Sequence, residues 1–93
     1  MLEVNEYFDG KVKSIGFQTR TLPATIGVME PGEYEFGASR HETMTIINGA
    51  MRIQLPGSDE WQTYNTGETF EVPAGTSFKA KLTTATAYFC TYA

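Results

Sequence analysis

Turn-forming combinations cut this chain into short pieces. Pro31-Gly32, Asn48-Gly49, Pro56-Gly57, Asn65-Thr66-Gly67 and Pro73-Ala74-Gly75 punctuate it, near the spacing of about 8–12 residues that marks sandwiches and barrels of antiparallel strands. Between them no segment keeps apolar residues at i, i+3, i+4 and i+7 over about ten residues, as an amphipathic helix requires. The pieces alternate instead. The pattern predicts strands over Lys11 to Phe17, Ala24 to Met29, Glu33 to Phe36, Glu42 to Ile47, Ala50 to Leu55, Thr69 to Val72, Ser77 to Leu82 and Ala87 to Tyr92. Asn48-Gly49 is the strongest two-residue hairpin signal. Thirteen threonines and twelve aromatic residues suit pleated, half-buried surfaces. The fold class read from this pattern is all-β. The first ten residues fit either an edge strand or a short turn, and Trp61-Gln62-x-Tyr64 reads as following a turn.

The 93 residues make one domain, 1–93, able to bury about 60–65% of the unfolded surface. That leaves a thin stability margin, so self-association is expected. The net charge of −4 lacks the basic excess of a nucleic-acid binder, and no nucleic-acid partner is expected. No apolar run approaches the ~20 residues of a membrane span. The acidic start Met1-Leu2-Glu3-Val4-Asn5-Glu6 lacks a signal peptide's basic and apolar regions. The lone Cys90 excludes an internal disulfide framework and fits a reducing compartment. The expected location is cytoplasmic, without membrane partners.

Two segments resemble the paired motifs of the cupin family, whose fold is a double-stranded β-helix or jelly-roll-like barrel. Glu42 followed after six residues by Gly49 matches the end of the first motif; Gly67, Pro73 and Gly75 hold the spacing of the second. Metal-binding cupins carry His-x-His before the glutamate and a histidine in the second motif. Here Phe36-Gly37-Ala38-Ser39 contains no histidine, and Phe78 stands at the second position. One histidine (His41), one glutamate and no thiolate pair fall short of the three or four protein ligands a transition metal normally takes. No metal is therefore expected, and the dioxygenase reading is rejected.

A second resemblance covers nearly the whole chain. Asn5-Glu6-Tyr7-Phe8, Gly10 to Phe17, Gly27-Val28-Met29, Gly32-Glu33-Tyr34, Glu42-x-Met44-Thr45, Trp61-Gln62-x-Tyr64, Phe70-x-Val72-Pro73 and Tyr88-x-Cys90-x-Tyr92 are similar to runs of the small pyrimidine/purine nucleoside phosphorylase family. The resemblance implies a homodimer that converts purine and pyrimidine nucleosides plus inorganic phosphate into free base and ribose 1-phosphate. No cofactor is implied, phosphate being a co-substrate, and nucleoside salvage is the natural role.

Phosphorolysis makes three demands. Phosphate needs cations or backbone N–H donors, the ribose and its developing positive charge favour a carboxylate, and the leaving base needs a proton. Glu42, at the inward glutamate position of the motif, is the catalytic candidate, either as ligand of ribose hydroxyls or as acid toward the base. The alternative is a structural carboxylate paired with Arg40, Arg52 or a lysine. Lys13 and Arg40 are the phosphate candidates, although Lys13 also suits a solvated strand edge. Met44 and Phe78 point inward, toward substrate or simply into the core. Tyr88 and Tyr92 share a face with Cys90 and carry hydroxyls, while Gln62 could bond a base edge. His41 reads as an exposed loop histidine, and Lys79 and Lys81 as outward residues. No glycine-rich phosphate loop, Ser-His-Asp order or paired-carboxylate motif stands out. A competing reading is a non-catalytic cupin that binds a small molecule.

Overall fold

A computed structural model describes residues 2–93, and the alternating segments become ten strands with no helix among the described residues. They are β1 (Glu3–Tyr7), β2 (Val12–Gln18), β3 (Pro23–Met29), β4 (Gly32–Ala38), β5 (Glu42–Asn48), β6 (Ala50–Gln54), β7 (Gln62–Asn65), β8 (Thr69–Val72), β9 (Thr76–Leu82) and β10 (Thr86–Tyr92). The N-terminal segment resolves as an edge strand, β1, paired with β2. The Gln62 to Tyr64 stretch, read as following a turn, is itself strand β7; its side chains are too polar and too few for alternation to mark it, and pairing with β6 holds it.

Every pairing is antiparallel. Six strands form one sheet in the order β1-β2-β3-β10-β5-β8, and four form the other in the order β4-β9-β6-β7. The C-terminal strand β10 thus lies in the middle of the larger sheet, between β3 and β5. Strand alternation fills the space between the sheets. Val12, Met29, Met44, Ile46, Phe70, Val72, Tyr88 and Cys90 come from the larger sheet. Tyr34, Ala38, Met51, Ile53, Phe78, Ala80 and Leu82 come from the smaller one. Lys79 and Lys81 are exposed on β9, opposite to Phe78 and Ala80.

One register shift separates Ala87 from Tyr88 along β10, where Ile47 of β5 is the extra residue of a bulge. Because it lies beyond Ile46, it leaves Glu42, Met44 and Ile46 on a common face. Hairpin β5–β6 turns at Gly49, whose φ is +119°. Thr86 packs against it so closely that a Cβ on Gly49 would lie 2.5 Å from its hydroxyl. That hydroxyl accepts from the Ala50 N–H at 3.2 Å and faces the carbonyls of Ala50 and Thr84, each at 3.1 Å. Thr86 is fully buried, so it ties the start of β10 to the hairpin.

The turn from β1 to β2 takes an unusual path. Phe8, Asp9 and Gly10 have φ of +54°, +57° and +83° in succession. Glycine accepts this region freely and aspartate tolerates it, but for a side chain like that of Phe8 it costs about 1–2 kcal/mol.

Replacing Thr86 by Val removes the buried hydroxyl and keeps the shape. The expected loss is about 1–3 kcal/mol, read as a lower urea midpoint with an unchanged denaturant slope.

Candidate functional site

A cavity of about 510 Å³ lies between the sheets. Strands of both supply its walls: Ser14 from β2, Met29 from β3, Glu35, Phe36 and Gly37 from β4, Glu42 and Met44 from β5, Phe78 from β9, and Tyr88 and Tyr92 from β10. Tyr7 at the end of β1, with Phe8 and Ser39 from chain turns, completes it. The lining carries carboxylates, hydroxyls and rings, and no Lys, Arg or His.

Glu42 opens β5 and stands in register with Tyr92 on one side and Val72 on the other. Period-two alternation from Met44 and Ile46 turns it inward. No Lys, Arg or His nitrogen among the described residues lies within ion-pairing distance of it; the ion pairs present are Lys13–Glu6, His41–Glu71 and Lys81–Glu33. The Cys90 thiol lies 3.6 Å from its Oε1 and donates to it. Burial holds the Glu42 carboxyl above the ordinary carboxylate range, and the thiol contact offsets part of that. Its neighbours stay protonated. Burial, then the Glu42 charge, pushes the Cys90 thiol up to about 12. Burial likewise takes the Tyr88 phenol up to about 12 against the opposing effect of Ser14. The Tyr92 phenol is also raised by burial, opposed by its 2.9 Å hydrogen bond with Thr25. One carboxylate is thus ringed by neutral groups, a set suited to a ligand rich in hydroxyls.

Tyr88 owes its position to Gly27, its register partner on β3. A Cβ at Gly27 would lie 2.6 Å from the phenol carbon and oxygen of Tyr88 and 2.7 Å from the Lys13 carbonyl. Only glycine leaves room for the phenol to lie this close to β3. Opposite, Phe36 and Phe78 pair in register with ring centroids 5.4 Å apart.

Of the residues singled out from sequence, Glu42, Met44, Phe78 and Tyr88 come together in this lining. Lys13, Arg40 and Gln62 do not belong to it. Lys13 is on the opposite face of β2 from Ser14 and pairs with Glu6 at 3.2 Å. Gln62 is exposed on β7 and accepts a 2.7 Å hydrogen bond from the Tyr64 hydroxyl. Arg40 is exposed in the bend between the lining residues Ser39 and Glu42. Glu42 has none of the cationic partners considered for a structural role, and the loop histidine His41 bonds Glu71 at 3.0 Å. Among the described residues no three His, Cys, Asp or Glu side chains come together as a metal site would need. The sequence reading missed Phe8, Ser14, Glu35 and Phe36. Alternation signalled Ser14 and Phe36 as inward residues, whereas nothing local to Phe8 announced its place.

A family model described as pyrimidine/purine nucleoside phosphorylase matches residues 2–92. A Marinobacter nauticus protein of that name is 62% identical over 92 residues, covering 99% of both chains. A crystal structure of a Vibrio parahaemolyticus protein of unknown function superposes with a TM-score of 0.96 at 42% identity, covering 100% of this chain and 99% of that one. An RmlC-like cupin from Shewanella frigidimarina, at 19% identity and a TM-score of 0.77 over 98% of this chain and 82% of its own, shares the fold. The all-β fold expected from the turns is therefore the cupin fold, and the chain belongs to the pyrimidine/purine nucleoside phosphorylase family.

Proposed function

We propose that this protein splits purine and pyrimidine nucleosides with inorganic phosphate, releasing the free base and ribose 1-phosphate without a resident metal. Family membership supports the reaction class, and the shortage of metal-ligating side chains supports the metal-free form. The observation that carries the assignment of roles is Glu42: a half-buried carboxylate facing the cavity, without a cation, among neutral donors. A phosphate oxygen bonds to the ribose C1′ while the C1′–N bond breaks. The bonding pair leaves with the base, which takes up the proton that phosphate gives up. Glu42, as carboxylate, accepts from ribose hydroxyls and faces the positive charge that develops on the sugar. Tyr88 and Tyr92 add hydroxyl contacts, and the rings of Phe36 and Phe78 accept a base of either size. No amide or guanidinium in the lining reads a base edge, which favours a broad base range.

Phosphate is the demand the lining does not meet. Arg40, flanked in sequence by the lining residues Ser39 and Glu42, is assigned to it, because Lys13 is engaged with Glu6 on the opposite face. The same shortage of cations favours the second reading, a cupin that binds a neutral small molecule without turnover.

The protein is further assigned as a homodimer. Val4, Ile15, Ile26 and Phe89 form a continuous apolar row across β1, β2, β3 and β10 on the outer face of the larger sheet. Ile15 and Ile26 are 44% and 46% exposed, and Val28 is 50% exposed beside them. An exposed apolar patch of this kind calls for cover, and a second copy meeting it across a two-fold axis supplies it. No helix among the described residues is long and apolar enough to cross a membrane. A cytoplasmic place in nucleoside salvage accords with the free thiol of Cys90.

Base release from uridine and adenosine, followed by liquid chromatography in EDTA with and without phosphate, tests the reading. Release only with phosphate is expected; binding without release would establish the second reading. Glu42→Gln should lower kcat by about 100-fold or more. Because burial disfavours the ionised carboxylate, this variant should melt no lower than wild type at neutral pH. The active form of Glu42 is ionised and its pKa is raised, so wild-type activity should be lost as pH falls through a value above the usual carboxylate range. That acid limb should vanish in Glu42→Gln. Arg40→Ala should raise the phosphate KM by about tenfold or more with little change in the nucleoside KM. Ile26→Glu should halve the mass seen by light scattering.

A further inference from the structure

We propose that Phe8, held over the cavity by the left-handed β1–β2 turn, is the specificity-determining aromatic that covers the base of a bound nucleoside. The inference rests on the nucleoside reading above and extends it to a residue outside the strands.

Three observations converge on this side chain. The first is its backbone. Phe8, Asp9 and Gly10 occupy the left-handed region in succession, and an aromatic residue is the least suited of the three to it. The turn closes with hydrogen bonds from Gly10 N–H to the Tyr7 carbonyl and from Lys11 N–H to the Phe8 carbonyl, both 3.2 Å. Neither uses the Phe8 ring, so glycine or asparagine at this position would make the same turn with less strain. Strain of this kind concentrates where a side chain must be aimed.

The second observation is where the ring is aimed. It reaches from the larger sheet to the smaller one and meets Tyr34 at 5.0 Å and Phe36 at 5.4 Å between centroids, the latter edge-on. Phe36 stacks on Phe78, so Phe8 extends an aromatic wall already present in the cavity. Yet Phe8 remains 42% exposed. A residue serving only to close the core at this seam would be expected to be buried.

The third is what the cavity otherwise lacks. Phe8 lines the same space as Glu42 and Tyr88. The polar atoms of that lining are hydroxyl and carboxylate oxygens and backbone groups, which suit a ribose, and no side-chain amide, guanidinium or imidazole addresses a heterocycle. Ring contact is what remains for the base. It is tolerant of base identity because every base has a π-face. A purine offers more surface to Phe8 than a pyrimidine, so the residue also tilts selectivity.

Phe8→Gly removes the ring and relieves the backbone, and Phe8→Tyr keeps the ring. Steady-state kinetics and calorimetric binding of uridine and adenosine read the outcome, with thermal melting as a control. In Phe8→Gly the nucleoside KM and Kd should rise about tenfold, more for adenosine than for uridine, with the phosphate KM unchanged. Phe8→Tyr should stay near wild type in both. A folded Phe8→Gly protein with unchanged nucleoside KM and Kd would overturn the inference, as would a parallel rise in nucleoside and phosphate KM with a lowered melting temperature. If wild type binds nucleosides without turnover and Phe8→Gly weakens that binding, the contact stands and the phosphorylase reading falls. If wild type neither binds nor turns over nucleosides, both fall.

Discussion

The rest of the structure depends on the insertion of β10 between β3 and β5. This strand ends the chain, yet it is hydrogen-bonded on both sides and joins the N-terminal strands to the motif-bearing strand β5. Its inward residues, Thr86, Tyr88, Cys90 and Tyr92, are respectively a buried anchor for the β5–β6 hairpin, a cavity wall, the thiol beside Glu42 and the phenol tied to Thr25. A one-residue slip of β10 would turn this whole set outward and bring Phe89 and Thr91 inward. The bulge at Ile47 falls at the far end of the β5–β10 pairing, so register is preserved where the site is built.

What this architecture creates is a carboxylate in an environment that neither neutralises it nor hydrates it fully. In a metal-binding cupin the equivalent glutamate shares its charge with a cation. Here Phe78 stands at the histidine position and the neighbours of Glu42 are a thiol and phenols whose pKa values burial has raised. An uncompensated carboxylate costs stability, and this one lines the cavity, where the proposed role gives it a ligand. The aromatic wall opposite complements it: hydroxyl-seeking oxygens on one part of the lining, π-faces on another. A nucleoside presents the same two halves.

Most strands were legible from alternation and the hairpin from Asn48-Gly49, while the inward direction of Glu42 and Phe78 came from their places in the cupin-like motifs and that of Met44, two residues after Glu42, from period two. Strand β7 escaped notice because it is short and polar and forms through its pairing with β6. Lys13 illustrates the limit within a strand that was read correctly. It lies next to Ser14 in sequence, but successive residues face opposite sides of a sheet, so Ser14 lines the cavity and Lys13 meets Glu6 outside it.

By itself, then, the sequence determined an all-β chain through its turn residues and alternation, which are local quantities, and its family and the inward place of Glu42 through runs that resemble those of known proteins. Only the tertiary structure decided which rings surround that glutamate, that Gly27 must be bare to admit Tyr88, and that Phe8 reaches the opposite sheet from a left-handed turn. Those facts depend on distances between residues far apart in the chain, set by register and by the packing of one sheet on the other, and no local pattern encodes them.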